Sequence, residues 1–149
     1  MISTIPAAMA ALTATLQAAP GLAGVQVLQG PPTTNIEPDA VLVGFTGDVS
    51  EGAIRSTRLT ADLGGRRDQE TYQVTTMVSS FSGDTEMDAR MERTCAMVAE
   101  IDRVLSADRK LGGAVAQARV VEVNLGQVQT TDGAECNAQV IIEIRAWAR

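Results

Sequence analysis

The residues with the most obvious chemical potential are three clustered carboxylates, Asp84, Glu86 and Asp88. Side chains of this kind can bind a divalent cation or act as an acid–base pair. Carboxylates at the start of a helix are also stabilised by the positive end of its dipole. A helical pattern follows the cluster and no calcium-loop pattern accompanies it, so we interpret these residues as a helix start.

Ser79, Ser80 and Ser82 are candidate nucleophiles, but the chain contains no histidine. Its absence excludes the Ser-His-Asp triad, the Cys-His dyad and the HExxH zinc site. A serine would then need Lys110 or a carboxylate as its base, and neither lies at a recognisable spacing. We therefore interpret the serines as capping and turn residues, and the sequence predicts no catalytic residue, metal site or cofactor.

Charge and composition argue against nucleic-acid binding. The chain has 18 acidic and 12 basic residues, a net charge of −6, and only 3% aromatic residues. Specific contact with nucleic acid needs clustered cations and aromatic stacking platforms. We interpret the densest cationic patch as a solvated hairpin surface and keep it as a candidate interaction site, formed by Arg55, Arg58, Arg66 and Arg67. Trp147 is either a core residue or an interface anchor.

The two cysteines lie outside any CxxC pair, and their spacing gives no argument for a disulfide. Cys95 falls on the apolar face of a predicted helix, which predicts a buried thiol, and Cys136 falls in a predicted strand. The N-terminal residues lack the positive region of a signal peptide, and no apolar stretch reaches about 18 residues. We therefore expect no membrane contact and a location in the cytoplasm of the cell that makes the chain.

The hydrophobic pattern predicts two helices, over 4–18 and 85–107. The second has the stronger pattern, with apolar positions every three or four residues: Met87, Met91, Cys95, Val98, Ile101 and Leu105. It also carries two favourable ion pairs, Glu86–Arg90 and Glu100–Arg103.

Six strands are predicted, over 24–29, 39–45, 51–63, 69–80, 115–128 and 135–148. Gly64-Gly65 and Asp132-Gly133 predict hairpin turns. The order of elements indicates one α+β domain over 1–149, with an antiparallel or mixed sheet, two helices on one face and a projecting hairpin over about 51–80. A projecting ribbon and unpaired strand edges favour association with another subunit.

Three stretches of the chain resemble the tail terminator (tail completion) proteins of long-tailed bacteriophages, especially those of phages of actinobacteria. They are VSSFSGDTEMDARMERTCAMVAEIDRVL, DRKLGGAVAQARV and LGQVQTTDGAECNAQVIIEIRAWA, and the resemblance extends over residues 72–148. The residues that carry the resemblance match structural features of that family: Ser82, Gly83 and Asp84 in the turn into the long helix, Gly112 and Gly113 at its end, and Gln127, Gln129, Thr130, Gly133 and Ala134 in the C-terminal hairpin.

The resemblance implies a structural virion protein at the tail–neck junction rather than an enzyme. Such a subunit closes into a ring, usually a hexamer, that caps the tail tube, stops tail polymerisation and forms the tail side of the head–tail junction. Its partners are copies of itself, the tail tube protein and a head-completion or neck protein, and DNA passes through the lumen without specific binding.

Two further hypotheses concern how such a ring would work. Residues 51–70 would reach a neighbouring subunit or the tube, and acidic residues would line the channel so that DNA does not adhere. Three alternatives stay open at this point. The chain can be another neck, head–tail joining or head-completion protein, a small-molecule or peptide binding domain with an apolar pocket, or a hydrolase that uses carboxylates.

Overall fold

A computed structural model describes residues 3–33, 35–60 and 68–148. These ranges contain two α-helices and six strands, close to the predicted positions, which confirms the α+β class. In chain order the elements are α1 (Ile5–Gln17), β1 (Gln26–Gln29), β2 (Asp39–Val43), β3 (Ile54–Thr60), β4 (Asp68–Ser82), α2 (Met87–Ala107), β5 (Gln117–Thr130) and β6 (Gly133–Ala148). The predicted turn at Gly64-Gly65 lies outside the described residues.

The six described strands form one mixed sheet. β1 is parallel to β2, and every other pair of strands is antiparallel. The order across the sheet is β1-β2-β4-β6-β5, and β3 pairs with the half of β4 that β2 leaves free. β4 and β6 are paired from Asp68–Ala148 to Ser82–Ala134 and form the centre of the sheet. β3 and β5 therefore lie at opposite edges.

Both helices pack on one face of this sheet, as predicted. Alternate residues of β4 and β6 point toward them and are buried. Removal of these side chains from water supplies most of the stabilisation of such a core, at roughly 25 cal/mol per Å² of apolar surface. The buried residues include Leu12 and Leu16 of α1, Met97, Ile101 and Leu105 of α2, Tyr72, Val74, Thr76 and Val78 of β4, and Ala138, Val140, Ile142, Ile144 and Ala146 of β6.

The opposite face of the sheet is partly open. The connection between β2 and β3 crosses one part of it, where the Gln139 side-chain amide donates a hydrogen bond of 2.7 Å to the carbonyl oxygen of Thr46. Leu42 of β2 is therefore buried although it points away from the helices. No helix among the described residues has both the length and the apolar composition needed to cross a bilayer.

The buried face of α2 agrees with the prediction at Ile101 and Leu105 and differs by one residue in the first half of the helix. Its buried residues are Thr94, Met97, Ile101 and Leu105, and Cys95 is exposed. Thr94 faces the sheet because its hydroxyl donates a hydrogen bond of 3.1 Å to the carbonyl oxygen of Cys136. The prediction of a buried thiol at Cys95 is therefore wrong, whereas Cys136 is buried in its predicted strand.

The turn between β5 and β6 requires a glycine just after its tip. Thr130 pairs with Gly133, so Thr131 and Asp132 form the turn, one residue earlier than predicted. Gly133 has a φ of 142°, and a Cβ there would overlap the carbonyl oxygen of Ser82. Gly133 thus allows β6 to begin directly beside the end of β4.

Candidate interaction surfaces

The first candidate surface is the free edge of β5. This strand pairs with β6 over its 14 residues and has no described strand on its other side. Four of its apolar side chains are 39–47% exposed: Val121, Val123, Leu125 and Val128. A long unpaired strand with exposed apolar side chains is a template for pairing with another chain.

A β-bulge sets the direction of the apolar side chains in β5. The register with β6 shifts after Val120, so that Val123 lies opposite Val140 and Leu125 opposite Ala138. Val140 and Ala138 point toward the helices, and directly paired residues of antiparallel strands share a face. The bulge therefore places Val123 and Leu125 on the helix side. Without it, strict alternation from Val120 would have placed Glu122 and Asn124 on that side instead.

An open apolar groove of about 440 Å³ lies between α2 and this part of β5. Its walls include Cys95, Ala99 and Asp102 of α2 and Val121, Val123 and Leu125 of β5. Small-molecule sites have volumes of roughly 300–1,000 Å³, so size alone fits a ligand. One border of the groove, however, is a strand edge with backbone groups left to pair, which an extended chain satisfies and a compact ligand does not.

The surroundings of the groove are acidic. Asp88, Glu92 and Asp102 are exposed on α2, and Glu122 is exposed on β5. In the described part of the chain none of these four carboxylates forms an ion pair. We call the groove and these four residues the β5 surface.

The second candidate surface is the opposite edge, formed by β3. Five successive residues of this strand, from Arg55 to Leu59, are exposed, and Leu59 is 67% exposed. Arg55 forms no ion pair with any described residue. Arg58 pairs with Glu70 at 3.2 Å. Two of the predicted site residues, Arg66 and Arg67, lie outside the described residues.

Trp147 lies at the same end of the sheet, on the open face. Its position in β6 is opposite Gln69 of β4, which is in turn opposite Leu59 of β3. Trp147 is 42% exposed, so it is not a core residue of the isolated chain. The structure therefore places Arg55, Leu59 and Trp147 at one end of the sheet, on the same face. We call this region the β3 surface.

Glu70 is a buried carboxylate that the sequence pattern did not reveal. Its side chain is 1% exposed and lies at the start of α1, where it accepts hydrogen bonds from the Thr4 amide (2.8 Å), the Thr4 hydroxyl (2.7 Å) and the Ser3 hydroxyl (2.8 Å). Burial opposes its charge, but these bonds and the charge of Arg58 outweigh that effect, so the pKa of Glu70 is lowered. Burial is also the main reason that the pKa of Tyr72, beside Thr4, is raised. Glu70 thus ties β4 to α1 and holds Arg58 of the β3 edge.

The candidate nucleophile Ser80 is engaged in a structural cluster. Its hydroxyl donates a hydrogen bond of 2.7 Å to Asp39 and accepts one of 3.0 Å from Arg90. Arg93 donates a bond of 2.9 Å to the second oxygen of Asp39. Burial opposes the charge on Asp39, but the bonds from Ser80 and Arg93 outweigh it and lower the pKa of Asp39, which makes this carboxylate a weak base.

One of the two ion pairs predicted for α2, Glu86–Arg90, is wrong because Arg90 belongs to this cluster. Arg90 bonds to Ser80 rather than pairing with Glu86, whereas the predicted pair of Glu100 and Arg103 is confirmed. Ser79 also lies within β4, and its hydroxyl donates a hydrogen bond of 3.1 Å to Glu135 of β6, so the capping and turn interpretation is wrong for Ser79 and Ser80. It fits Ser82, whose hydroxyl accepts the amide of Asp84.

The acidic cluster before α2 acts locally. Asp84 accepts a hydrogen bond of 3.1 Å from the amide of Glu86, which immediately precedes the helix. Over the described ranges no group of three His, Cys, Asp or Glu residues is arranged to hold a metal ion. Asp84, Glu86 and Asp88 thus lie where the helix-start interpretation put them.

No family model matches the sequence, and no curated protein matches it. Solved structures with a similar fold include a chain from the virion of a native gene transfer agent particle. It is 11% identical to this chain, with a TM-score of 0.58 and an alignment that covers 94% of both chains. The two chains share a fold. The similarity concerns the arrangement of helices and strands along nearly the whole chain, and it carries no individual residue across.

Proposed function

We propose that this chain is a structural virion protein and, more specifically, a tail terminator subunit that caps a phage tail tube. The observation that carries the proposal is the fold it shares, over 94% of both chains, with a chain of a gene transfer agent virion. A virion is an assembly of proteins, so a chain of this fold is suited to work by packing against other subunits. The resemblance of residues 72–148 to tail terminators supports the finer assignment.

The two surfaces described above support a ring. Closed rings are built from heterologous interfaces, in which one patch of a subunit meets a different patch of the next. The β3 surface combines Arg55 with the exposed apolar side chains of Leu59 and Trp147, the β5 surface is acidic and apolar, and the two surfaces occupy opposite edges of one sheet. A subunit with different patches on opposite sides can close a ring of identical copies, usually six in the family it resembles.

Within such a ring, the hairpin over residues 51–70 and Trp147 contact the tube or a neighbouring subunit. We expect acidic residues of the chain, whose net charge is −6, to line the channel and repel passing DNA. The opposite side of the ring then faces the head-completion or neck protein.

A capping assay tests the proposed function. Purified tail tube protein polymerises in the presence of the chain, and electron microscopy measures tube length and the density at tube ends. We expect tubes that stop growing and carry a cap at one end. Tubes of unchanged length with bare ends contradict a terminator role, and binding to isolated heads but not to tubes indicates another neck protein instead.

The deletion of residues 63–68 tests the role of the hairpin. We expect the shortened chain to keep the circular dichroism spectrum of the wild type and to lose both assembly and capping. A shortened chain that still forms rings and caps tubes contradicts this role.

A further inference from the structure

We propose that a pocket on the open face of the sheet binds an arginine side chain of a partner protein. The pocket has a volume of about 360 Å³ and lies between the end of β4 and the segment that leads into β2. Small-molecule sites span roughly 300–1,000 Å³, so this pocket suits one long side chain better than a large ligand. Its lining residues come from that segment, from β4 and from β6: Ile36, Glu37, Pro38, Ser79, Phe81 and Glu135.

Backbone pairing holds the walls of the pocket in place. Phe81 lies directly opposite Glu135, and both point away from the helices because the alternate residues of β4 and β6 point toward them. The Phe81 amide donates a hydrogen bond of 2.8 Å to the carbonyl oxygen of Pro38. The Glu37 amide donates one of 2.9 Å to the side-chain oxygen of Gln26 in β1. These bonds tie the segment to the sheet, so a partner finds a formed pocket and little ordering is needed on binding.

The polar groups of the pocket are acceptors that lack a cation. Neither Glu37 nor Glu135 forms an ion pair with any residue of the described ranges. The Ser79 hydroxyl donates a hydrogen bond of 3.1 Å to Glu135, which leaves this carboxylate able to accept more. Opposite Ser79 in β6, the side-chain oxygen of Asn137 is buried and has no hydrogen-bond partner among the described residues. This set of acceptors favours a cationic group that carries several N–H donors.

The apolar walls favour a cation on an aliphatic stem. Ile36 is 46% exposed and Phe81 is 36% exposed, so both leave apolar surface uncovered. The stem of an arginine or a lysine packs against such surface while the charged head reaches polar groups, and an aromatic ring attracts the cation. Arginine fits better than lysine, because its planar guanidinium has five N–H donors, binds carboxylates in bidentate fashion and stacks on rings.

A metal ion and a phosphate group fit this pocket less well. Within the part of the chain that the structure describes, no three His, Cys, Asp or Glu residues are arranged to hold a metal ion. A hydrated cation also gains nothing from contact with Ile36 and Phe81. A phosphate would be repelled by Glu37 and Glu135. The chemistry of the pocket therefore selects a cationic side chain, which a protein partner supplies.

The position of the pocket indicates where the partner lies, and this step rests on the proposed function. Gln69, which is opposite Trp147, and Phe81 are near the two ends of β4, about 40 Å apart at roughly 3.3 Å per residue. The pocket and Trp147 are therefore at opposite ends of the open face. With Trp147 at the tube, the pocket is directed toward the head-completion or neck protein, and the arginine belongs to that protein.

Titration with a small arginine probe tests the pocket itself. N-acetyl-arginine amide is added to the isotope-labelled full chain, and N-acetyl-citrulline amide, which has a similar shape and no charge, is the control probe. We expect saturable NMR shifts at amides within 36–37, 79–81 and 135–137, with a dissociation constant at least about tenfold higher for citrulline. Equal affinity for both probes, or saturation by magnesium or inorganic phosphate without a response to arginine, overturns the proposal.

A charge-removing variant locates the binding within the pocket. Glu37→Gln with Glu135→Gln keeps the shape of both side chains, and we expect it to weaken binding of the arginine probe at least about tenfold. Glu86→Gln is the control, since Glu86 is exposed, lies outside the pocket and forms no ion pair with a described residue. The same affinity in the double variant and in the control contradicts the role of the two carboxylates.

Head joining separates this inference from the proposed function. Tubes capped with the double variant are mixed with purified heads, and electron microscopy counts the joined particles. We expect normal capping and at least about tenfold fewer joined particles than with the wild type. Joining at the wild-type level overturns the assignment of the partner and leaves the terminator role standing. Tubes that the wild type itself fails to cap contradict the terminator role, whereas the titration still decides whether the pocket binds arginine.

Discussion

The two edges of the sheet are built differently. The β5 edge carries apolar side chains over an apolar interior, with Val123 directly opposite the buried Val140. The β3 edge carries polar and cationic side chains, and the residue behind it is the buried carboxylate Glu70, which pairs with Arg58. From this difference we infer two roles. The exposed side chains of each edge serve association, whereas the buried residues next to them, Val140 and Glu70, fix each edge strand to the rest of the monomer.

The largest expected effect on the free energy of unfolding is at Glu70, the buried carboxylate that pairs with Arg58 of β3. Glu70→Ala leaves the hydrogen-bond donors of Ser3 and Thr4 without their acceptor, so we expect a loss of roughly 2–3 kcal/mol in the free energy of unfolding. Urea denaturation measures it. The control is Glu143→Ala, whose half-exposed ion pairs with Arg119 and Arg145 should contribute no more than about 1 kcal/mol. Equal losses for both variants would contradict the distinction between anchor and surface.

A matched pair of valines tests the β5 edge. Val140→Ala removes two methyl groups from a fully buried site and should cost about 2 kcal/mol of unfolding free energy. Val123→Ala makes the same change at its cross-strand partner, which is 40% exposed, and should cost less than about 0.5 kcal/mol in the monomer. A large loss at Val123 in the monomer would show that the isolated subunit itself depends on this edge.

Acid should lower the free energy of unfolding, because it protonates Glu70 beside β3. The pKa of Glu70 is lowered in the folded chain, so its contribution is present above the unfolded pKa of about 4.3 and disappears as the pH falls through the folded value. The unfolding free energy measured between pH 7 and pH 3 should therefore decrease toward acid. Glu70→Gln should flatten that decrease. Asp39, whose pKa is also lowered, should account for part of the pH dependence that remains in this variant. An unchanged slope in Glu70→Gln would contradict the role assigned to this carboxylate.

The smallest effect is a change in the reactivity of one thiol. Cys95 is exposed and lines the groove, whereas Cys136 is buried, so a thiol reagent should label the native monomer once, at Cys95. In the assembled wild type that labelling should slow, because a neighbouring subunit in contact with the β5 surface covers the groove. Mass spectrometry of labelled peptides measures the rate of Cys95 labelling in the monomer and in the assembly. Equal labelling of Cys95 in monomer and assembly would place the interface elsewhere.

The sequence was sufficient to predict the order of helices and strands and the inward-facing residues of β4 and β6. Regular alternation and helical spacing report which side of an element is apolar, and the core follows from that. Ile101 and Leu105 of α2 were predicted correctly, but the first half of the helix was wrong by one residue because Cys95 was counted as a core residue. The buried position belongs to Thr94, whose hydroxyl finds an acceptor on β6.

The interaction surfaces were harder to predict, for physical reasons. The register shift after Val120 reverses the alternation of β5, and a bulge has no fixed sequence signature. Whether β5 lies at an edge depends on the topology of the whole sheet. Glu70 is buried through bonds with Ser3 and Thr4, more than sixty positions away in the chain, which local patterns do not report. The arginine cluster of the predicted hairpin is visible in the sequence because it depends on local spacing, and its role as an interaction site stays a prediction.

Native mass spectrometry combined with negative-stain imaging tests the central claim most directly, which is that the chain works by closing into a ring of its own copies. The account predicts a discrete species at a multiple of the 15.6 kDa chain mass, seen as an annulus in solution or at the ends of tail tubes. A species of 15.6 kDa at every concentration, together with tube ends that carry no annulus, would contradict it.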